Sequence, residues 1–182
     1  MKTLKPCLSL VAALLVGVLA GCSTTSTQAA DVSSSIRTSL DQAGLKDVSI
    51  DQDRDKGVVT LGGHVAGESD KSRAESIAKS LAGVQVVANQ IAVVPPGIES
   101  EAKKVNSDLD KGIESNLDAA LIKDGLHDDV KYAIKNKVVT LTGDVDSQAK
   151  RARAERVASS VPNVEQVVNE LQVRKQKATS SN

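Results

Sequence analysis

The sequence predicts an α+β protein: two tandem α-β-β-α-β units, each a small mixed three-stranded sheet with two helices on one face. Three observations predict it. The first is an internal repeat. Val58-Val59-Thr60-Leu61-Gly62-Gly63-His64-Val65 returns, 80 residues on, as Val138-Val139-Thr140-Leu141-Thr142-Gly143-Asp144-Val145. The flanks return with it: Arg73-Ala74-Glu75 matches Arg153-Ala154-Glu155, and Val84, Val87, Asn89 and Val93 match Val164, Val167, Asn169 and Val173. The second is helical spacing ahead of each copy, and the third is alternation in the first and last strand segments of each copy.

The elements follow in order. Val32, Ile36 and Leu40 recur every four residues, with Asp31 as the expected N-cap and Gly44 as the residue just past the end. Ile113, Leu117, Leu121 and Gly125 repeat that pattern, and Leu45 and Leu126 follow the two glycines. Val48 and Ile50, then Val130, Tyr132 and Ile134, alternate as half-buried strands. A polar turn leads into Val-Val-Thr-Leu, so each pair of strands forms a hairpin. The first copy carries two more residues at its tip, where insertions are solvated. Gly63 and Gly143 end the second strand, where a positive φ or a close backbone approach is expected. The crossover helix presents Ala74, Ile77, Ala78 and Leu81 in one copy and Ala154, Val157, Ala158 and Val161 in the other. Val87, Asn89, Ile91 and Val93, matched by Val167, Asn169, Leu171 and Val173, form the third strand. Pro95-Pro96-Gly97 separates the units, after which Ile98, Ala102, Val105, Leu109 and Ile113 keep a helical spacing, with Gly112 as its weak point.

Val-x-Leu-x-Gly-x-Val, an Ala-rich helix and Val-x-x-Val-x-Asn-x-(Ile/Leu)-x-Val together resemble the BON domain of bacterial envelope proteins. Both copies carry the whole pattern, over about 32–94 and 113–173. The chain is similar to the dual-BON envelope lipoproteins and the dual-BON osmotic-stress periplasmic proteins. The resemblance implies association with phospholipids.

The N-terminus carries an address. Lys2 and Lys5 precede the apolar run from Leu8 to Leu19, and Leu19-Ala20-Gly21-Cys22 follows. The run is too short for a spanning helix, which takes about 20 apolar residues, and reads as a secretory signal. Its end resembles the lipobox of bacterial lipoproteins, which implies cleavage before Cys22 and acylation of that residue. The alternative is a plain signal peptide cut after Ala29. Ser23, rather than Asp, after the cysteine implies by the same resemblance sorting to the outer membrane, facing the periplasm; a soluble periplasmic protein is the alternative. The expected organisation is a lipoprotein signal at 1–21, a flexible tether at 22–31, a first BON-like domain at 32–94, a linker at 95–107, a second domain at 108–173 and a disordered tail at 174–182.

Composition narrows the function classes. The chain has 23 basic and 23 acidic residues; without Lys2 and Lys5 the balance is 21 against 23, which does not suit nucleic acid. Tyr132 is the sole aromatic residue, so base stacking and aromatic cages are unavailable. Cys7 falls within the signal, so a mature chain acylated on Cys22 has no free thiol and no disulfide. No cofactor and no metal are expected. His64 corresponds to Asp144 and His127 to Lys46, so neither histidine serves both copies. Asp51, Asp53 and Asp55 begin like a calcium loop, but Lys56 and Gly62 stand where that loop needs glycine and glutamate. A solvated turn is the better reading.

Two sets of residues remain. Asn89 and Asn169 fall on the apolar register of their strands. Each should bond backbone near the bend after Gly63 or Gly143, a structural role. Lys150, Arg151, Arg153 and Arg156 crowd the second crossover helix and could meet lipid phosphates, at about 1 kcal/mol per basic residue near an anionic surface. A solvated helix face is the competing reading, because Asp144, Asp146 and Glu155 are close by. The expected function is therefore non-enzymatic: a membrane-anchored lipoprotein that binds anionic phospholipid and supports envelope integrity under stress. The alternative is an adaptor for other envelope proteins.

Overall fold

The computed structural model describes residues 28–174. The signal at 1–21, Cys22, most of the tether and nearly all of the tail lie outside the described residues.

Helix α1 (Ser33–Gln42) buries Ile36 and Leu40, one turn apart, against the sheet. Its N-cap is Val32 rather than Asp31. The Asp31 carboxylate still accepts from the Ser33 amide at 3.1 Å and the Ser33 hydroxyl at 2.7 Å. At the far end Gly44 takes φ +79°; its amide bonds Asp41 O and the Leu45 amide bonds Leu40 O at 2.9 Å. This closes the helix by the six-to-one and five-to-two pattern that glycine permits, and Leu45 becomes a core residue.

Strand β1 (Val48–Asp53) runs antiparallel to β2 (Val58–Val65). Helix α2 (Glu68–Ala82) crosses back, and β3 (Val86–Asn89) joins β2 in parallel. The third strand is not continuous. It bends at Gln90-Ile91 and resumes as β4 (Ala92–Val93), which pairs with the end of β2. Nor does β2 stop at Gly63, because it continues to Val65. Gly63 marks a bend within the strand, at φ +84°, where a Cβ would lie 2.0 Å from Asp47 O.

The second unit repeats this order. Helix α3 (Glu99–Lys123) runs unbroken through Gly112, so the expected linker at 95–107 is mostly the first half of one 25-residue helix. Its last turns bury Ile113, Leu117 and Leu121 and end at Gly125 as α1 ends at Gly44. Then come β5 (Lys131–Lys135), β6 (Val138–Thr142), β7 (Asp144–Val145), α4 (Gln148–Ser159), β8 (Gln166–Asn169) and β9 (Gln172–Val173). The strand order is β5-β6-β8, matching β1-β2-β3, with β7 and β9 paired beyond the bend. Asn136 and Lys137, at φ +48° and +66°, form the two-residue tip between β5 and β6. Both residues in the left-handed region is the arrangement that matches hairpin twist. The first hairpin instead has a four-residue tip at 54–57. There the Asp53 carboxylate accepts from the Asp55 and Lys56 amides, so the acidic triplet is a turn.

Each unit has its own core between its helices and one sheet face. A third cluster consists of Val58, Ala88, Val138 and Val168. These residues lie on the opposite sheet faces, and they join the two units back to back. The pairs Val58/Val138 and Ala88/Val168 are repeat equivalents, so the duplicated units meet much as identical subunits do across a two-fold axis.

The N-terminal tether is shorter than the sequence suggests. Ala29 exchanges hydrogen bonds of 2.9 Å with Arg54, through the Ala29 amide and the Arg54 side chain. Ala30 O accepts from Gln52 and Gln85. Residues 28–31 are therefore fastened along the first hairpin, which pairs polar groups that free loops leave to water.

Candidate functional site

Two surfaces collect the residues that the sequence singles out. The first is the flank of α4. Ser147 caps this helix, with its hydroxyl accepting from the Lys150 amide. The buried face carries Ala154 and Ala158, whose small side chains let the helix lie close to the sheet. Lys150, Arg153 and Arg156 border one shallow depression beside Asp124 and Leu126, where α3 ends. Arg153 bonds the Asp124 carboxylate at 2.5 Å. Lys150 bonds Asp129 and lies 3.6 Å from Asp146. The Lys150 ammonium holds the Asp129 carboxyl below its ordinary range, and Asp129 in turn raises Lys150. Arg156 is exposed, and no salt bridge to it is found among the described residues. Ile122, two residues before Asp124, is 58% exposed. Arg151 does not belong to this surface. Successive residues of a helix point about 100° apart, and Arg151 turns to the other side, where it donates to Asn169 O at 2.9 Å.

The second surface is the seam between the units. Gln166 inserts its carboxamide against the open edge of β3, accepting from the Asn89 amide at 2.9 Å and donating to Val87 O at 2.6 Å. Lys71, only 7% exposed, reaches across to Glu165 at 2.7 Å. Lys137, from the same unit as Glu165, bonds the other carboxylate oxygen. Lys56 meets Glu170 at 2.7 Å, and Asn136 donates to Gln90 O at 2.7 Å. None of these cross-unit partners was legible in the sequence. Gln166 replaces Val86 of the first copy, and that departure from the repeat is the one signal that could have drawn attention to it.

Burial pushes the Glu165 carboxyl up, but the hydrogen bonds from Lys137 and Lys71 outweigh it and hold it below the ordinary range. A depressed carboxyl contributes stability that is present above its unfolded pKa and lost as pH falls through its folded pKa. Wild-type protein should therefore melt above Glu165→Gln at neutral pH. The gap should close as pH falls below about 4.5, near the ordinary glutamate value. Parallel melting curves of the two proteins between neutral pH and about pH 3 check this, and a gap that persists at the acid end contradicts it.

Asn89 and Asn169 do not reach the bends at Gly63 and Gly143. Each ties the bend in its third strand to its crossover helix. Asn89 Nδ2 donates to Glu75 Oε2 at 2.9 Å and to Lys71 O at 3.4 Å, while its Oδ1 accepts from the Ile91 amide. Asn169 makes the same three bonds, to Glu155, Arg151 and Leu171. Gly143, at φ +120°, sits where a Cβ would lie 2.5 Å from Asp129 O. Among the described residues no group of three or more candidate ligands could hold a metal ion, and no helix is long and apolar enough to cross a membrane. His127 lies 3.1 Å from Asp118 at the surface, and His64 is exposed.

A family model for the BON domain matches this chain twice, over residues 28–95 and 109–175. The chain belongs to the BON domain family. Both BON units fall on the two α-β-β-α-β halves, with the first half of α3 between them. The sequence is similar to osmotically-inducible protein Y of Escherichia coli (strain K12), 32% identical over 137 residues, which is 74% of this chain and 67% of that protein. It is also similar to an uncharacterized protein in the gshII 5′ region of Anaplasma centrale, 37% identical over 70 residues, 38% of this chain and 46% of that one. Among solved structures, CdsD, a structural protein of the type III secretion system of Chlamydia trachomatis, aligns at 15% identity over 76% of this chain and 90% of its own. Its TM-score is 0.35, and at that level the likeness carries no argument.

Proposed function

We propose that this protein is a non-enzymatic envelope lipoprotein, held at the periplasmic face of the outer membrane by an acylated Cys22. Its second BON unit meets anionic phospholipid, and the protein supports the envelope under osmotic stress. The observation that carries the lipid contact is the grouping of Lys150, Arg153 and Arg156 around one depression beside the end of α3. The exposed Ile122 near it gives that end an apolar contact for the interfacial region. Lys150 and Arg153 already have carboxylate partners, but these pairs are open to water and screened by salt, so a phosphate can compete for the cations. The lipobox-like Leu19-Ala20-Gly21-Cys22 supports the proposed anchor at the opposite end of the chain. Several acyl chains on one cysteine hold a protein far more firmly than the marginal binding of a single chain. The similarity to an osmotically-inducible protein supports the stress role.

Co-sedimentation with phosphatidylglycerol and phosphatidylcholine vesicles tests the lipid contact, using the chain from residue 23 onward so that no acyl group contributes. Binding is expected only with the anionic vesicles, and it should weaken as salt rises. Arg153→Glu with Arg156→Glu should lower the affinity by about tenfold or more, given about 1 kcal/mol per basic residue. Equal sedimentation of the double variant and the parent rejects this surface. Labelled palmitate incorporated by the parent and absent from Cys22→Ala tests the anchor separately.

A further inference from the structure

The seam between the units is a broken two-fold, and the break leaves one half open. On the closed half, Gln166 occupies the free edge of β3 and Glu165 binds Lys71. The repeat equivalents of these four positions are Val86, β8, Gln85 and Arg151. Val86 has no polar group and is 47% exposed. Gln85 turns away to Gln52 and Ala30. The open half is a groove of about 420 Å³, lined by Val86, Arg151, Lys56, Gln148, Val168 and Asn169 among others. The pocket on the closed half is about 220 Å³.

The chemistry of the open groove follows from its twin. Alternate residues of a strand face alternate neighbours. The Glu170 amide bonds Leu141 O inside the sheet, so the Asn169 amide and Val167 carbonyl face the outer edge of β8, away from β6, and Asn169 lines the groove. On β3 the equivalent pair, the Asn89 amide and Val87 carbonyl, is met by one carboxamide. On one edge a carboxamide presents the N–H and C=O that a single residue of an added strand presents from its two flanking peptide groups. A second requirement comes from Arg151. Its counterpart Lys71 meets a carboxylate from the other unit. Arg151 bonds only a backbone oxygen among the described residues, and its Nε is buried without a partner there. Lys56 at the mouth is already held by Glu170.

We propose that this groove docks an extended peptide segment of a partner protein. One residue of the segment pairs with the β8 edge as in a parallel ladder, its N–H donating to Val167 O and its C=O accepting from the Asn169 amide, and an acidic side chain of the segment meets Arg151. This is strand addition, in which backbone bonds supply affinity and one side chain supplies selectivity. It is independent of the lipid contact, which uses the other flank of α4.

The test uses the full-length protein and a fluorescein-labelled hexapeptide, Val-Thr-Glu-Thr-Val-Thr with blocked ends, against the same peptide carrying Lys in place of Glu. Fluorescence anisotropy should show the acidic peptide binding at least about tenfold more tightly than the basic one. Val86→Gln supplies the missing carboxamide at an exposed position and should close the groove, weakening the acidic peptide by about tenfold or more while the melting temperature holds or rises. Arg151→Gln should remove the preference for the acidic peptide. Vesicle binding should be the same in Val86→Gln as in the parent. The proposal is overturned if both peptides bind the parent and Val86→Gln alike, or if vesicle binding falls in Val86→Gln, which would make the groove a headgroup site. A concentration-dependent dimer that Val86→Gln abolishes would also overturn it, because a second copy would then fill the groove.

Discussion

Gly63→Ala is expected to unfold the first unit, at a cost of roughly 3–5 kcal/mol, a large share of the marginal stability of a small domain. Two effects add. Gly63 has φ +84°, a region that costs an L-residue about 1–2 kcal/mol. The added Cβ would also lie 2.0 Å from the backbone oxygen of Asp47, and no flexible side chain is there to move aside. Relief requires the start of β1 to separate from β2, where Val48 pairs with Gly63 and the His64 amide approaches Asp47 O. Gly44→Ala isolates the first effect, because Gly44 closes α1 in the left-handed region at φ +79° and a methyl group added there would meet no atom within 4 Å. It should cost only about 1–2 kcal/mol. Gly143→Ala should fall between, with its contact at 2.5 Å. Urea unfolding midpoints for the three variants give the ranking, and Gly63→Ala no worse than Gly44→Ala would show that the strand bend relaxes freely.

Asn89→Leu is expected to lower stability by about 1–3 kcal/mol, the cost of leaving buried polar groups unpaired. The loss is not the amide itself but what it satisfies: the Ile91 amide, Lys71 O and the Glu75 carboxylate. Glu75 reports on this directly. Burial pushes its carboxyl up, while hydrogen bonds from Lys79 and Asn89 outweigh burial and keep it below the ordinary range. In Asn89→Leu the carboxyl should titrate at higher pH, which NMR of the side-chain carboxyl detects. Asn169→Leu removes the same three bonds, but Asn169 is half-buried where Asn89 is 5% exposed. Water can replace more of what is lost, so the second variant should be milder. Thermal melts that leave both variants at the parent value would remove the asparagines from the account of the fold.

Much of each unit is written locally. The apolar spacing of Ile36 and Leu40, the alternation in β1 and β5, and the glycines at 44 and 125 each act within a few residues, so each reads without a partner. Errors of detail came where a side chain reached further. Asn89 bonds α2 and the bend of its own strand rather than the bend at Gly63, because a strand pattern shows that a side chain points inward and not which atoms it meets. The four-cation cluster on α4 separated for a similar reason: a run of charges in sequence is divided by helical rotation, and Arg151 fell to the seam while Arg153 and Arg156 stayed on the flank.

The sequence by itself determined two copies of one α-β-β-α-β unit and their cores, since periodic burial is local. Only the tertiary structure decided how the copies meet. Val58 and Val59 are both buried, and so are Val138 and Val139, although a strand sends neighbours to opposite faces. The second face of each sheet is covered by the other unit, through contacts between residues such as Asn89 and Gln166, 77 positions apart. No local period records such a contact, because its partner is another surface and not the neighbouring chain.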